Sequence, residues 1–195
     1  PDSSLDAHYD HAGVPILAST GDDGWYSWDY FNDPADDGPP ANVPNTPAAL
    51  PSVIAVGGTT LNLNSDATRA SEKVWNDYGA VDDDVTGDGA TGGGCSTEYA
   101  APSWQSAVAN YSGTGCGTKR MTGDIAALAD QDTGYDIYDS SITGLDGHWA
   151  TYGGTSLASP LVAAMWSLAG GGNGVTDPGS TLYTNFASDP SSLYD

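Results

Sequence analysis

The stretch Gly153-Gly154-Thr155-Ser156-Leu157-Ala158-Ser159-Pro160 decides the fold. Two glycines precede a serine, and the serine opens an apolar run. Leu157, Leu161, Ala164, Met165 and Leu168 recur there at helical spacing. Gly170 and its neighbours stop the run. Pro160 lies near the helix start, where a missing N–H does least damage. The glycine pair allows close backbone approach just before the serine. The serine then sits at a helix amino end, where free N–H groups and the helix dipole favour negative charge. Acyl transfer needs this pairing of a hydroxyl nucleophile with a stabiliser of a developing oxyanion. A helix-capping serine has the same local signature, so the segment alone leaves both readings open.

Moving outward, residues 149–152 lead into the glycine pair. Residues 53–56 (VIAV) read as a short apolar strand that ends at Gly57 and Gly58, and residues 14–19 (VPILAS) as a buried strand that ends at Gly21-Asp22-Asp23-Gly24. Residues 5–12 read as the end of a short helix closed by Gly13, and residues 122–129 hold another apolar run. Residues 25–51 are an aromatic-, proline- and aspartate-rich excursion, and residues 79–94 a loop. Short buried strands with a glycine-preceded helix predict an α/β layer fold with a largely parallel sheet. The 195 residues fit one domain, with no internal repeat or linker. Pro1 is no natural translation start, so the sequence is expected to be processed or cut.

The charge is lopsided: 26 acidic residues against 4 basic ones, net −22. Glu72 and Glu98 are the only glutamates. Such a surface disfavours nucleic acid and anionic membranes as partners. It suits acid, where aspartates near their ordinary value of about 3.9 are partly neutral, or concentrated salt, which screens repulsion. No stretch approaches the roughly 20 apolar residues that span a bilayer. Cys95 and Cys116, with no histidine neighbours, make a poor zinc site. A disulfide in an oxidising compartment is favoured over two buried thiols.

Five segments carry a resemblance. Residues 154–164 (GTSLASPLVAA) resemble the nucleophile segment of the subtilisin superfamily. Ser19-Thr20-Gly21-Asp22-Asp23-Gly24 resembles the oxyanion segment of its sedolisin family, the serine-carboxyl peptidases, with Asp22 where subtilisins carry asparagine. Val53–Leu61, then Gly93-Gly94-Cys95-Ser96 through Pro102-Ser103-Trp104-Gln105, resemble family blocks. So do Lys119-Arg120, Asp124-Ile125-Ala126-Ala127 and Ala129-Asp130 through Thr133-Gly134-Tyr135. In order and spacing they cover nearly the whole chain. The Cys95–Cys116 spacing is similar to a bacterial or archaeal branch with a disulfide there.

The resemblance implies an incomplete subtilisin-like α/β domain, a mainly parallel sheet flanked by helices, with residues 1–195 part of one peptidase domain truncated at both ends. It implies a secreted, acid-acting peptidase that cleaves polypeptides through an acyl-enzyme on Ser156. Asp22 and the Ser156 amide would stabilise the oxyanion, and Gly153, Gly154 and Thr155 would line the cleft. A protonated carboxyl at Asp22 can donate as asparagine does and can also deliver a proton. A glutamate base suits acid, where histidine is protonated and cannot accept. That glutamate and its aspartate partner lie well upstream in the family and are expected outside this chain, on the same polypeptide or a separate one. Asp6 and Asp10 have the right four-residue spacing, but their helix would abut the oxyanion strand, whereas the catalytic helix belongs elsewhere. A calcium loop follows the nucleophile helix in the family; Asp195 would be its first ligand, with the others lacking here.

Several rival sites read as structural. Asp84-Val85-Thr86-Gly87-Asp88-Gly89 resembles a calcium loop, but position twelve, which should be a carboxylate, is Cys95. His8 and His11 lack a third ligand. His148 lies on the approach to the nucleophile, not in a separate histidine motif. Trp25, Tyr26, Trp28 and Tyr30 are candidates for a cleft wall near Asp22. Two other classes stay open: an inactive extracellular binding or structural module, and a subtilisin-like Ser-His-Asp enzyme.

Overall fold

The computed structural model describes residues 4–24, 43–77, 89–141 and 148–194. Trp25, Tyr26, Trp28, Tyr30, residues 84–88 and Asp195 lie outside them. The central sheet contains β1 (Leu17–Ser19), β2 (Ile54–Leu63), β3 (Arg69–Val74) and a strand later in sequence, β6 (Ile125–Leu128). β1 and β6 each run parallel to β2, with Leu17 opposite Ile54 and Val56 opposite Ile125. β3 returns antiparallel along the far half of β2. Two antiparallel pairs stand apart: β4 (Gly94–Ala100) with β5 (Lys119–Thr122), and β7 (Tyr135–Asp139) with β8 (His148–Tyr152). Three helices complete the described fold: α1 (Ser103–Ser106), α2 (Thr155–Leu168) and α3 (Gly179–Ser188). The expected layer of helix on parallel sheet is present.

Strand alternation sorts the core into two faces. Ile54 and Val56 pack with Trp75, Ala127, Ala129, Ala158 and Val162, which places α2 against the sheet. Val53 and Ala55 point the other way, towards Ala18, Ala48 and Leu50.

Three sequence expectations are corrected. The short helix at 5–12 is only a 3-10 turn, Asp6–His8. Asp6 instead turns its carboxylate onto Ser52, accepting from its N at 3.1 Å and its Oγ at 2.6 Å. Gly57 and Gly58 do not end β2, which runs on to Leu63. Their work is close packing: a Cβ on Gly58 would lie 2.5 Å from the Ala129 Cβ and 3.4 Å from the Thr155 Cγ2. Finally, α2 has the expected extent but a different phase. Ala158 and Val162 are buried, while Met165 and Leu168 are 54% and 90% exposed. Thr155, Ala158 and Val162 form the buried face.

Cys95 and Cys116 form a disulfide, closing a loop of sequence separation 21. The loop-entropy estimate gives it about 3 kcal/mol. Replacing both cysteines by serine is expected to lower unfolding free energy by about that much in denaturant titration. An unchanged midpoint would show that the cross-link leaves the unfolded chain unconstrained.

A second tie, unforeseen in sequence, is a fully buried ion pair between Arg120 and Asp124. Arg120 Nη1 donates to Asp124 Oδ1 at 2.7 Å and Arg120 Nη2 to the Val53 carbonyl at 3.0 Å. The Tyr183 hydroxyl of α3 donates to Asp124 Oδ1 at 2.6 Å, and the Ala55 amide to Oδ2 at 2.7 Å. Buried Gln105 of α1 adds bonds to Met121, Asp124 and Tyr183. This network joins α1 and α3 to the start of β2.

Candidate active site

The site forms where β1, β6 and α2 meet. β1 continues its parallel pairing one residue further, the Thr20 amide donating to the Val56 carbonyl at 3.0 Å. The chain then turns at Gly21, whose φ of +97° favours glycine. The Asn45 Nδ2 holds the turn by donating to the Thr20 carbonyl at 2.9 Å, and the Gly92 amide by donating to Gly21 O at 2.7 Å. This places Asp22 at the carboxyl edge of a parallel strand, where α/β folds put their sites.

The nucleophile segment arrives from β8. Gly153 would collide through any Cβ with Ala129 and Gln131, so a side chain is excluded there. The Gly154 amide donates to the Ala129 carbonyl, 2.5 Å away, just beyond β6. Gly154 has φ +85°, and α2 begins at the next residue.

Asp22 and α2 are joined directly. Asp22 Oδ1 accepts from the Thr155 amide at 2.7 Å and from the Thr155 Oγ1 at 2.8 Å. The same Oγ1 accepts from the Gly21 amide at 3.1 Å. Ser19 Oγ donates to the Thr155 carbonyl at 3.0 Å. Asp22 Oδ2 faces Gly154, where a Cβ would come within 2.7 Å. Thus the carboxylate is bound to the residue immediately before Ser156.

Ser156 is exposed at the start of α2. The amides of Leu157 and Ala158 donate back to the Gly154 carbonyl, at 2.9 and 3.4 Å. Among the described residues, the Ser156 amide has no acceptor and its hydroxyl no hydrogen-bond partner. A free N–H at a helix amino end is a ready donor for an anion.

The remaining candidates separate from this centre. Thr155 is fully buried and Gly154 is buried, with Gly153 half-buried. The expectation that Thr155 walls the cleft is therefore corrected, because its side chain turns inward to Asp22 and Gly21. His148 sits opposite Asp139 in the β7–β8 pair and makes no hydrogen bond to Ser156. His11 Nε2 lies 3.1 Å from the His8 carbonyl oxygen, a contact within one turn. Among the described residues, no group of three or more His, Cys, Asp or Glu is placed to hold a metal. Asp10 is exposed.

Sequence reasoning missed the inward role of Thr155, although its place beside the serine was visible. It also missed the inward role of Asp130, which is buried and accepts from Thr60 Oγ1 at 2.6 Å and the Asp132 amide at 2.8 Å. Asp23 is held above its ordinary value of 3.8, first by burial and then by the charge of Asp22. A carboxyl raised in this way binds its proton more tightly in the fold. The stability it contributes is full below the unfolded value and is lost as pH rises through the folded one.

A serine that opens a helix at the carboxyl edge of a parallel sheet, with a carboxyl bound beside it, defines a subtilisin-like serine peptidase fold. The model of the subtilase family, Peptidase_S8, matches residues 2–173. Sedolisin of Pseudomonas sp. (strain 101) is 36% identical over 185 residues, 94% of this chain and 29% of that protein. Xanthomonalisin of Xanthomonas sp. (strain T-22) is 35% identical over 205 residues, 94% of this chain and 23% of that protein. Kumamolisin of Bacillus sp. (strain MN-32) is 37% identical over 163 residues, 78% of this chain and 24% of that protein. Among solved structures, Pseudomonas sedolisin, a serine-carboxyl proteinase complexed with two molecules of pseudo-iodotyrostatin, superposes with a TM-score of 0.71 at 36% identity. It covers 93% of this chain and 45% of that one. The chain belongs to the subtilase family, within its sedolisin group. It spans between 23% and 29% of the length of these curated relatives.

Proposed function

We propose that the chain is a catalytic portion of a secreted, acid-acting serine-carboxyl peptidase. The observation that carries this reading is the Asp22 carboxyl bound through Thr155 to the backbone that presents Ser156. In the reaction, Ser156 Oγ attacks the scissile carbonyl carbon and passes its proton to a general base. The carbonyl oxygen becomes an oxyanion, received by the free Ser156 amide and by protonated Asp22. Collapse expels the amine, which takes the proton, and leaves an acyl-enzyme that water hydrolyses. The base is a carboxylate pair from sequence outside this chain, on the same polypeptide or another. The complete enzyme is also proposed to hold calcium, with Asp195 as its first ligand, and no chemical step runs through it. Secretion is supported by the disulfide. Acid action is supported by the net charge of −22 and by the raised Asp23.

Asp22→Asn tests the acid. Asparagine keeps a donor but loses the titrating proton. In the complete enzyme, kcat is therefore expected to lose the pH limb that reports Asp22, while KM changes little. An optimum near pH 8 that is unaffected by Asp22→Asn would point to a Ser-His-Asp mechanism. Full activity in Asp22→Asn across acid pH would remove Asp22 from the oxyanion site.

A further inference from the structure

We propose that Thr155 is a positioning residue that decides which oxygen of Asp22 carries the acid proton. The inference rests on the peptidase reading and deepens it. An uncharged carboxyl has two chemically different oxygens, only one of which can donate. Which one holds the proton decides whether Asp22 can serve the oxyanion at all.

The geometry around Oδ1 is restrictive. The Thr155 amide, which can only donate, points at Oδ1 from 2.7 Å. The Thr155 hydroxyl lies 2.8 Å from the same oxygen. That hydroxyl already accepts from the Gly21 amide at 3.1 Å, so its own hydrogen must go elsewhere. Oδ1 is its only acceptor among the described residues. Were Oδ1 protonated and donating to Thr155, the hydroxyl hydrogen would be stranded in a fully buried site. A buried donor without an acceptor bears its whole desolvation penalty. With both lone pairs of Oδ1 engaged, the proton resides on Oδ2. Oδ2 lies over the bare face of Gly154, two residues before the nucleophile.

The clamp is itself held. Ser19 Oγ fixes the Thr155 carbonyl at 3.0 Å, and the Gly154 amide is tied to Ala129. The ionisable neighbour facing Asp22 is Asp23. Among the described residues, α2 brings no charged side chain, the packed segment 89–92 none, and Asn45 is neutral. Asp130, next in sequence to Ala129, has its carboxylate turned to Thr60 and the Asp132 amide.

The test uses the complete peptidase and four variants: Thr155→Val, which keeps the shape, Thr155→Ser, which keeps the hydroxyl, and the controls Ser156→Ala and Asp22→Asn. Thr155→Val frees one lone pair of Oδ1, so the proton divides between the two oxygens. We expect kcat to fall roughly tenfold, the scale of one hydrogen bond to a charged group, with KM within about twofold. Loss of that donor also disfavours the ionised carboxyl, so the alkaline limb of the kcat profile moves to higher pH. Thr155→Ser restores both. In the Asp22→Asn background, Thr155→Val moves no limb, because no proton is left to place. If Thr155→Val does not fold by circular dichroism, Thr155→Ala against Thr155→Ser makes the same comparison.

An unmoved limb in the valine variant overturns the proposal. So does a serine variant as impaired as valine, which would assign the effect to the methyl group, or an equal shift in the Asp22→Asn background. If Ser156→Ala and Asp22→Asn both retain wild-type turnover, the peptidase reading itself fails. If both lose it while Thr155→Val matches wild type, only the positioning role fails.

Discussion

Ser156→Ala in the complete peptidase is expected to remove acylation altogether, lowering kcat by on the order of a million-fold. The argument starts from isolation. Ser156 is exposed, its amide has no acceptor among the described residues, and the side chains around it are committed elsewhere. Asp22 and Thr155 bond to each other, and Ser19 to the Thr155 carbonyl. None can replace the missing hydroxyl as nucleophile. Alanine leaves the first turn of α2 intact, because its anchoring bonds run through Thr155 and Gly154. Folding and substrate binding should therefore survive while chemistry is lost. Thermal midpoint, peptide binding and turnover on one preparation check this. Turnover near the wild-type rate with the fold intact would place the nucleophile elsewhere and leave an extracellular binding module as the better reading.

The elements that position the site were legible because glycine, serine and aspartate occupy positions where geometry leaves little choice. Gly21 turns with φ +97°, Gly154 with φ +85°, and Gly153 has no room for a side chain. Such constraints show as residue identity, so the order of motifs was enough. Packing was less legible. Gly57 and Gly58 look like a strand end in one dimension, yet their missing side chains admit Thr91, Ala129 and Thr155 from three distant segments. The phase of α2 was misread because leucines dominate the periodic pattern. The sheet instead takes Ala158 and Val162, the smaller residues that let helix and sheet approach. Thr155 was read as a cleft residue because sequence cannot show that its hydroxyl points inward.

Acidity also had a hidden part. The net charge of −22 is a bulk property and does not identify which carboxyls matter. The structure singles out Asp23 and Asp77. Asp77 is raised chiefly by burial, with the charges of Asp130 and Asp132 adding to the effect. It also accepts from Trp75 Nε1 at 2.5 Å, a bond that acts in the opposite sense. Both groups favour the folded state in acid and withdraw that support as pH rises through their folded values.

Asp124→Ala is expected to be the most destabilising single change in the described core, at on the order of 3–5 kcal/mol. Burial opposes the charge on Arg120, but the hydrogen bond and charge of Asp124 outweigh it and hold the guanidinium above its ordinary value. Removing the carboxylate therefore leaves a buried cation without its counter-charge. The Ala55 amide and the Tyr183 hydroxyl lose their acceptor in the same step. Domains of this size commonly hold only about 5–15 kcal/mol in total, so a large share is at stake. Adding Arg120→Met should recover part of the loss, since the stranded charge goes with it. Recovery should stay incomplete, because the Val53 carbonyl and the Ala55 amide remain unpaired. Denaturant unfolding of both single variants and the double variant gives the coupling energy, expected at about 2–3 kcal/mol. Strict additivity would mean that Arg120 finds another partner or water when Asp124 is gone. A single-variant cost under about 1 kcal/mol would mean that the pair is open to solvent, and its role in joining α1 and α3 to β2 would fall with it.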